Sequence, residues 1–458
     1  MLRICSSIDL VSLAFALLSV SNLAAVETAS WDRFRGPNGS GVSLDPSSPP
    51  TVWSPEKNIR WKTELPGPGS SSPIVVGDRV FVTCWTGYGT DESPDASIDL
   101  LRRNLLCIDR ASGKMLWNQS VKAVLPEDSY DGMFSEHGYA SHTPTSDGER
   151  VYAFFGKTGV IAFNLEGKEL WRQSVGDGLD QKRWGSSSSP ILYQDLVIVN
   201  ASAEKHAIFA LDKYTGKIIW QKKAEGLHST WGTPILVKVD DSRTDLVLGV
   251  PDELWGFDPA KGNLRWYCTA METDTFCSSV ISDNSTIYAI AGRNGGSIAI
   301  RTGGDDDISK SHVVWTGKET SPISTPVLYQ DRLYFFSRGI AHCINAKTGK
   351  EVFRGRLQKK LTDGQVATQP TDVASDSKGN AEQRRGGKDY SSPIIAGGLI
   401  FYMSQSGDIY VIQPGDELKQ IAVNRVSNDR DEEYSSSPAA SNGQLFIRST
   451  KRLYCVSN

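Results

Sequence analysis

Charge of one sign is what this chain most plainly lacks. Its 49 basic and 53 acidic side chains leave a formal net charge of -4 over 458 residues. Such a chain has no general attraction to phosphate backbones or anionic lipid, so nucleic-acid and membrane-surface binding lose their usual driving force. Long apolar runs are also missing: the run around Leu10 to Val20 falls short of the roughly 20 residues that span a bilayer. It follows Arg3 and precedes Ala24 and Ala25, the layout of a secretory signal peptide. The expectation is a leader over 1–25, export to the periplasm or beyond the cell, and no transmembrane segment after cleavage. No glycine-rich phosphate loop, GxSxG elbow or CxxCH haem-attachment site is present, which sets aside three common kinds of catalytic or redox chain.

Cysteine is scarce. Beyond the leader there are Cys84, Cys107, Cys268, Cys277, Cys343 and Cys455, an even number in an exported chain, which leaves Cys84–Cys107 and Cys268–Cys277 open as disulfides. Against bridging, Cys107, Cys343 and Cys455 fall at the repeat position held elsewhere by Ala162, Ala210, Gly256 and Ala299. In that slot cysteine reads as a small buried hydrophobe.

Turn formers and β-rich runs, by contrast, are plentiful, with 42 glycines and 21 prolines. The stretch from Ser186 to Trp220 contains short β-rich runs, a turn from Asp212 to Gly216 and a final indole. Equivalent units open at Ser72, Thr143, Ser189, Thr233, Ser278, Thr325, Ser392 and Ser437, and five of the seven intervals are 44 to 47 residues. That period is the length of a four-stranded propeller blade. The fold class expected is all-β, an eight-bladed β-propeller over 58–458. Residues 26–57, rich in proline and serine, read as an irregular strap that packs Trp31, Phe34 and Trp53 onto the domain. Asn58 to Glu64 matches a fourth strand with no first three, while Ser435 to Val456 supplies three strands and stops. The N-terminal strand therefore completes the last blade and closes the ring, removing exposed sheet edges. Trp61, Trp117, Trp171, Trp220, Trp266 and Trp315 end the fourth strands, with Phe353 in the sixth unit, and each is expected to dock on the neighbouring blade. The recurrent prolines suit an inner strand whose edge faces the channel, and the Ser or Thr before each is expected to bond local backbone.

The motif Ala210-x-Asp212-x-x-Thr215-Gly216-x-x-x-Trp220 recurs around Cys107 to Trp117 and Gly256 to Trp266, and more loosely from Cys343 to Phe353. It resembles the tryptophan-docking motif of pyrroloquinoline quinone (PQQ) propellers, the architecture of quinoprotein alcohol dehydrogenases. The segment Trp31 to Gly41, WxxFRGPxxxG, is similar to the opening of exported bacterial PQQ-binding-like repeat proteins. The chain also resembles the propeller subunit of the outer-membrane protein assembly machine, a scaffold that binds no quinone. The resemblance implies two kinds of function, a non-catalytic binding or scaffold propeller serving an envelope protein or a small ligand and a dehydrogenase using PQQ with Ca²⁺ on an alcohol or sugar; the aromatic mouth residues given below add a third, a carbohydrate-binding or carbohydrate-processing propeller. The first is favoured, because the vicinal cysteines such dehydrogenases place against the quinone are missing and no motif assigns a Ca²⁺ ligand or a base.

In propellers the loops that lead into each first strand gather at one mouth of the channel. Here they carry Glu136, His137, Tyr139, His142, Arg183, Trp184, His228, Trp231, Phe276, Asp389, Tyr390, Glu433 and Tyr434, a set that suits a planar or sugar-like ligand. The competing reading is solvated loops and interblade packing. No metal is expected: His137 and His142 have no third ligand at a recognisable interval, and Asp305 to Asp307 read as a solvated hairpin. Insertions near 86–103 and 357–388 are polar and fall on the mouth side, as a lid, a partner-binding rim or plain disorder.

Overall fold

The computed structural model describes residues 30–458 except 94, 270, 293–295 and 360–388. The expected leader and most of the 357–388 insertion lie outside the described residues. Eight antiparallel sheets of four strands, one of them joined by a short fifth strand, follow one another along the chain. Blade 3 shows the plan: Ile191–Tyr193 innermost, then Leu196–Ala201, Ala207–Asp212 and Ile218–Lys223. Alternation along its third strand points Ala207, Phe209 and Leu211 into the apolar layer shared with blade 2, and Ile208 and Ala210 into the layer shared with blade 4. The core is thus a set of layers between blades rather than one central mass. The last blade is built from Ala439–Ser441, Gln444–Arg448 and Arg452–Val456, and Ile59–Glu64 pairs with it as the outer strand.

At the seams the tryptophan motif has a physical cause. Asp212 accepts from the Thr215 amide at 2.8 Å and its hydroxyl at 2.7 Å, which sets the turn. Gly216 follows with φ 73°, and a Cβ there would lie 2.5 Å from the Trp171 ring of the preceding blade. Trp171 Nε1 then donates to the Lys213 carbonyl at 3.0 Å. Trp61, Trp117, Trp220 and Trp315 repeat this on Arg110, Leu165, Pro259 and Ala346. Trp266 departs from the expectation. It donates to Asp245 of its own blade at 2.8 Å and lies against Gly256, because the Asp306–Asp307 strand from the next blade's insertion pairs parallel with Trp266 and Tyr267 and occupies the seam. The acidic run is therefore part of blade 4's sheet, not only a solvated hairpin.

Each docking tryptophan also sits opposite the small third-strand residue: Trp117 pairs with Cys107, Trp220 with Ala210 and Trp61 with Cys455. Neither proposed disulfide forms. Cys84 faces the layer shared with the closing blade and Cys107 the layer shared with blade 2, on opposite faces of one sheet. Cys268 keeps a free thiol in the layer between blades 4 and 5, whereas Cys277 lines the central channel. Burial pushes the Cys84 and Cys107 thiols up to about 12.

Around the channel the hydroxyls do something the sequence reading missed. Rather than bonding local backbone, each accepts the amide N–H of the preceding blade. Ser72 donates to Thr143, Thr143 to Ser189, Ser189 to Thr233 and Thr233 to Ser279, at 2.9 to 3.0 Å. Ser279 donates to Thr325, Thr325 to Ser392, Ser392 to Ser437 and Ser437 back to Ser72, at the same distances. The ring closes on itself, with Ser279 rather than Ser278 as the member from blade 5.

The strap seals the channel at the end opposite the mouth. Trp31 bridges to Val75 of blade 1 and Val42 to Ile395 of blade 7. Between them Arg33 donates to the Pro234 carbonyl and Arg35 to those of Thr325, Pro326 and Pro393. Burial lowers the Arg35 pKa to about 9, and among the described residues it has carbonyls in place of a carboxylate partner.

Two outcomes test this closure. Deleting 55–65 removes the outer strand of the last blade and is expected to abolish the cooperative melt. Thr233→Ala leaves the Ser189 amide without its acceptor and should lower stability by about 1–3 kcal/mol, with Thr233→Ser close to neutral. Denaturant unfolding checks both, and a truncated chain that melts like the full one would show that the ring closes without this strand.

Candidate ligand-binding site

Sealed below by the strap, the channel opens at the mouth as a cavity of about 950 Å³ with Phe34 on its floor. Five of the mouth residues singled out from the sequence line it: His137, Trp184, Trp231, Asp389 and Tyr390. Glu136 joins them by accepting the Tyr390 hydroxyl, a bond from the loop after blade 1 to the loop after blade 6.

The aromatic wall is held in place. Trp184 and Trp231 pack at 5.0 Å between centroids, 30° apart. Trp231 Nε1 donates to the Gly185 carbonyl at 2.8 Å, and His137 Nε2 meets the Trp184 carbonyl at 2.6 Å. A carbonyl only accepts, so the neutral ring carries its proton on Nε2, with Nδ1 2.7 Å from Ser141 Oγ. Burial lowers the His137 pKa, which favours this neutral state. Three successive mouth loops are thereby tied together, and the indole pair is preorganised.

The remaining mouth residues serve packing or stand outside. Tyr139, Phe276 and Tyr434 are buried; Tyr139 lies under Arg103 and Tyr434 donates to Glu432 at 2.6 Å. Phe276 packs against Gly249. His228 and Glu433 do not line the cavity, and Arg183 reaches away to Asp128 at 2.7 Å. The insertion near 86–103 is partly strand, since Arg79–Thr86 and Arg102–Asp109 extend into it. Its Tyr88 and Leu101 join Trp85, Tyr130, Phe134 and Tyr139 in an apolar cluster beside the mouth.

Sequence reasoning passed over the wall from blades 5 and 6: Lys318, Glu319, Arg338, His342 and Arg354. The signal was available, because 318–324 is the loop leading into the sixth blade and obeys the rule that selected the other mouth loops. His342 stacks on Phe335 at 4.7 Å and 13°, and its Nδ1 lies 3.7 Å from Glu319. Burial lowers its pKa to about 4, so it is neutral at pH 7. Burial also raises the Glu319 and Asp389 pKa values, and Asp389 accepts the Arg338 amide.

Beside the main cavity, His142 borders a void of about 20 Å³ lined by Arg103, Glu127, Asp128, Lys157, Asp180 and Glu204. His142 Nε2 is 2.9 Å from Ser186 Oγ, while His142 Nδ1 and Glu204 Oε2 are buried without a protein partner. The void is large enough for about one water. Burial raises the Glu204 pKa from 4.5 to about 7, opposed by a Ser186 hydrogen bond.

An eight-bladed ring with indoles docked at its seams and a closed floor beneath an aromatic mouth defines a PQQ-like propeller. A family model described as outer membrane protein assembly factor BamB matches residues 102–355, just over half of the chain, and the chain belongs to that family. Among solved structures it resembles BamB from Moraxella catarrhalis, at 12% identity and a TM-score of 0.55 over 87% of this chain and 98% of that one. It also resembles quinohemoprotein alcohol dehydrogenase from Comamonas testosteroni, at 10% identity and a TM-score of 0.59 over 93% of this chain and 80% of that one. The polyvinylalcohol dehydrogenase of Sphingopyxis sp. (strain 113P3) is 21% identical over 261 residues, which cover 48% of this chain and 36% of that protein. The chain thus spans only about a third of that relative's length. Among the described residues no helix is long and apolar enough to cross a membrane.

The raised Glu204 pKa has a definite sign. Between about pH 4.5 and 7 the folded protein keeps a proton that the unfolded chain releases. Stability therefore falls as pH rises through that window, by on the order of 3 kcal/mol once it is crossed. His142, whose pKa burial drives well below 6.5, acts in the opposite direction, because its stability contribution is lost as pH falls. Comparing the parent with Glu204→Gln cancels the histidine: relative to the parent, the variant should gain in melting temperature from pH 5 to 8. Parallel profiles would remove Glu204 as the titrating group.

Proposed function

We propose that this chain is an exported, non-catalytic binding propeller that holds a small ligand, or a segment of an envelope protein, in its mouth cavity. The observation that carries this reading is the donor set of the cavity. PQQ enzymes of this fold imply a Ca²⁺ ion, which takes six to eight oxygen ligands. Among the described residues the carboxylates lining the cavity are Glu319, beside His342, and Asp389, engaged by the Arg338 amide, with Glu136 behind them taken up by the Tyr390 hydroxyl. Among the described residues no three His, Cys, Asp or Glu side chains converge on a point. Cys277 is the single cysteine on the wall, so a vicinal disulfide has no counterpart. The residues present do not fit the metal-quinone pair, and no oxidation step is derived through it.

What does suit binding is the preorganised indole pair, since a rigid aromatic wall gives contact area at little entropic cost. The family description, an outer membrane protein assembly factor, supports an envelope setting. A second reading, a divergent PQQ-dependent dehydrogenase, is favoured by the match to polyvinylalcohol dehydrogenase.

A titration of the mature protein with PQQ and Ca²⁺, followed by tryptophan fluorescence and gel filtration, separates the two readings. The expected outcome is no saturable binding and no quinone-dependent dye reduction with alcohols or sugars. One-to-one retention together with dye reduction would replace the binding reading with the enzymatic one.

A further inference from the structure

The cavity wall below the mouth is divided into two chemically different halves. Its lower tier is the closed ring of eight hydroxyls. Each spends one lone pair on the amide of the preceding blade, and none donates its own hydrogen to another described residue. A hydroxyl in that state retains one donor and one acceptor position. All eight face the cavity.

Two residues earlier in each blade, on the same side of the extended chain, lies an upper tier that also lines the cavity. Blades 8, 1, 2 and 3 contribute Ser435, Ser70, Ser141 and Ser187. Blades 4, 5, 6 and 7 contribute Trp231, Cys277, Ile323 and Tyr390. Within this tier one contiguous half of the circumference is hydroxylic and the other is aromatic or apolar, while Lys318, Glu319, Arg338, Arg354 and Asp389 line the cavity on the side of blades 5 to 7. Ser70 donates to the His137 carbonyl and Ser141 to the unprotonated His137 Nδ1, whereas Ser187 and Ser435 have no hydrogen-bond partner among the described residues. Phe34 closes the bottom and Trp184 backs Trp231 at the top.

We propose, resting on the binding reading above, that this cavity takes an uncharged polyhydroxylated ligand, a sugar or linear polyol. Its hydroxyls meet the serine half and the ring below, and its carbon face lies on Trp231 and Ile323. The reason is complementarity of hydrogen-bond roles. A ligand hydroxyl accepts from one channel O–H and donates to the free lone pair of the next. A carboxylate only accepts and an ammonium only donates, so either leaves half of the ring's capacity unmatched, and unmatched buried polar groups are what discriminate against a wrong ligand. The amphiphilic wall matches a pyranose in the same way, with a C–H face stacked on aromatic carbon and equatorial hydroxyls turned to the serines. A volume of about 950 Å³ admits a ligand of more than one ring, within the roughly 300–1,000 Å³ of small-molecule sites.

The test is calorimetric and fluorescence titration of the mature full chain with maltotriose, mannitol and a short poly(vinyl alcohol), against glucuronate and glucosamine as charged comparators. At least one neutral polyol should saturate and perturb tryptophan emission, with each charged comparator at least about fivefold weaker than that polyol. Trp231→Ala should weaken the polyol at least about tenfold. Ser187→Ala combined with Ser435→Ala should weaken it about five- to tenfold while melting with the parent, since neither hydroxyl joins the amide ring. If no neutral polyol saturates at tens of millimolar, but a protein segment or another ligand binds in a Trp231-dependent way, the polyol class is wrong and the binding reading stands. If nothing binds through Trp231, both fall.

Discussion

Everything in this molecule hangs on a circle of amide-to-hydroxyl hydrogen bonds in which each blade is held by the one before it. A single such bond contributes only about 0.5–1.5 kcal/mol. The circle matters because it has no end: Ser437 donates to Ser72, so no member can leave without exposing an unsatisfied amide in a buried setting. The constraint also explains the residue types. In seven of the eight blades proline one step later removes the N–H that would face the channel, and serine or threonine supplies an oxygen on a short stem that reaches the neighbouring amide and no further.

Two other devices share the load at different radii. At the rim, indoles dock on glycine turns, and burial of roughly 200 Å² at about 25 cal/mol/Å² makes each seam tryptophan worth up to about 5 kcal/mol. At the axis, the strap feeds two guanidiniums into the carbonyls that the prolines leave exposed, so Arg33 and Arg35 join blades 4, 6 and 7 from below. The same strap turns a pore into a blind cup. Structure and site are therefore inseparable here, because the hydroxyls that hold the ring are also the lower wall of the cavity, and the plug that braces it supplies the floor.

The blade count, the closing strand and the seam tryptophans were legible because each is a local pattern repeated at a fixed period. Trp266 was misplaced because its partner turn is altered in the following blade, a fact about residues some forty positions away. The mouth was legible only in outline. His137, Trp184 and Trp231 were selected with Tyr139, Phe276 and Tyr434 by the same rule, and nothing in their type distinguishes a wall residue from a core residue. Side-chain direction in an irregular loop depends on what it packs against, and that is settled by the neighbouring loop.

The sequence by itself determined the architecture, since a 44 to 47 residue period in five of seven intervals, with an indole ending six of the eight units and a proline after the hydroxyl in seven, admits few folds other than a ring of blades. It also established which familiar catalytic motifs the chain lacks. Only the tertiary structure decided that the hydroxyls bond across blades rather than within them, that the strap closes the channel, and that in the tier above the hydroxyl ring four serines stand opposite Trp231, Cys277, Ile323 and Tyr390. Each of these depends on distances between residues dozens to hundreds of positions apart, brought to within hydrogen-bonding reach by closure of the ring.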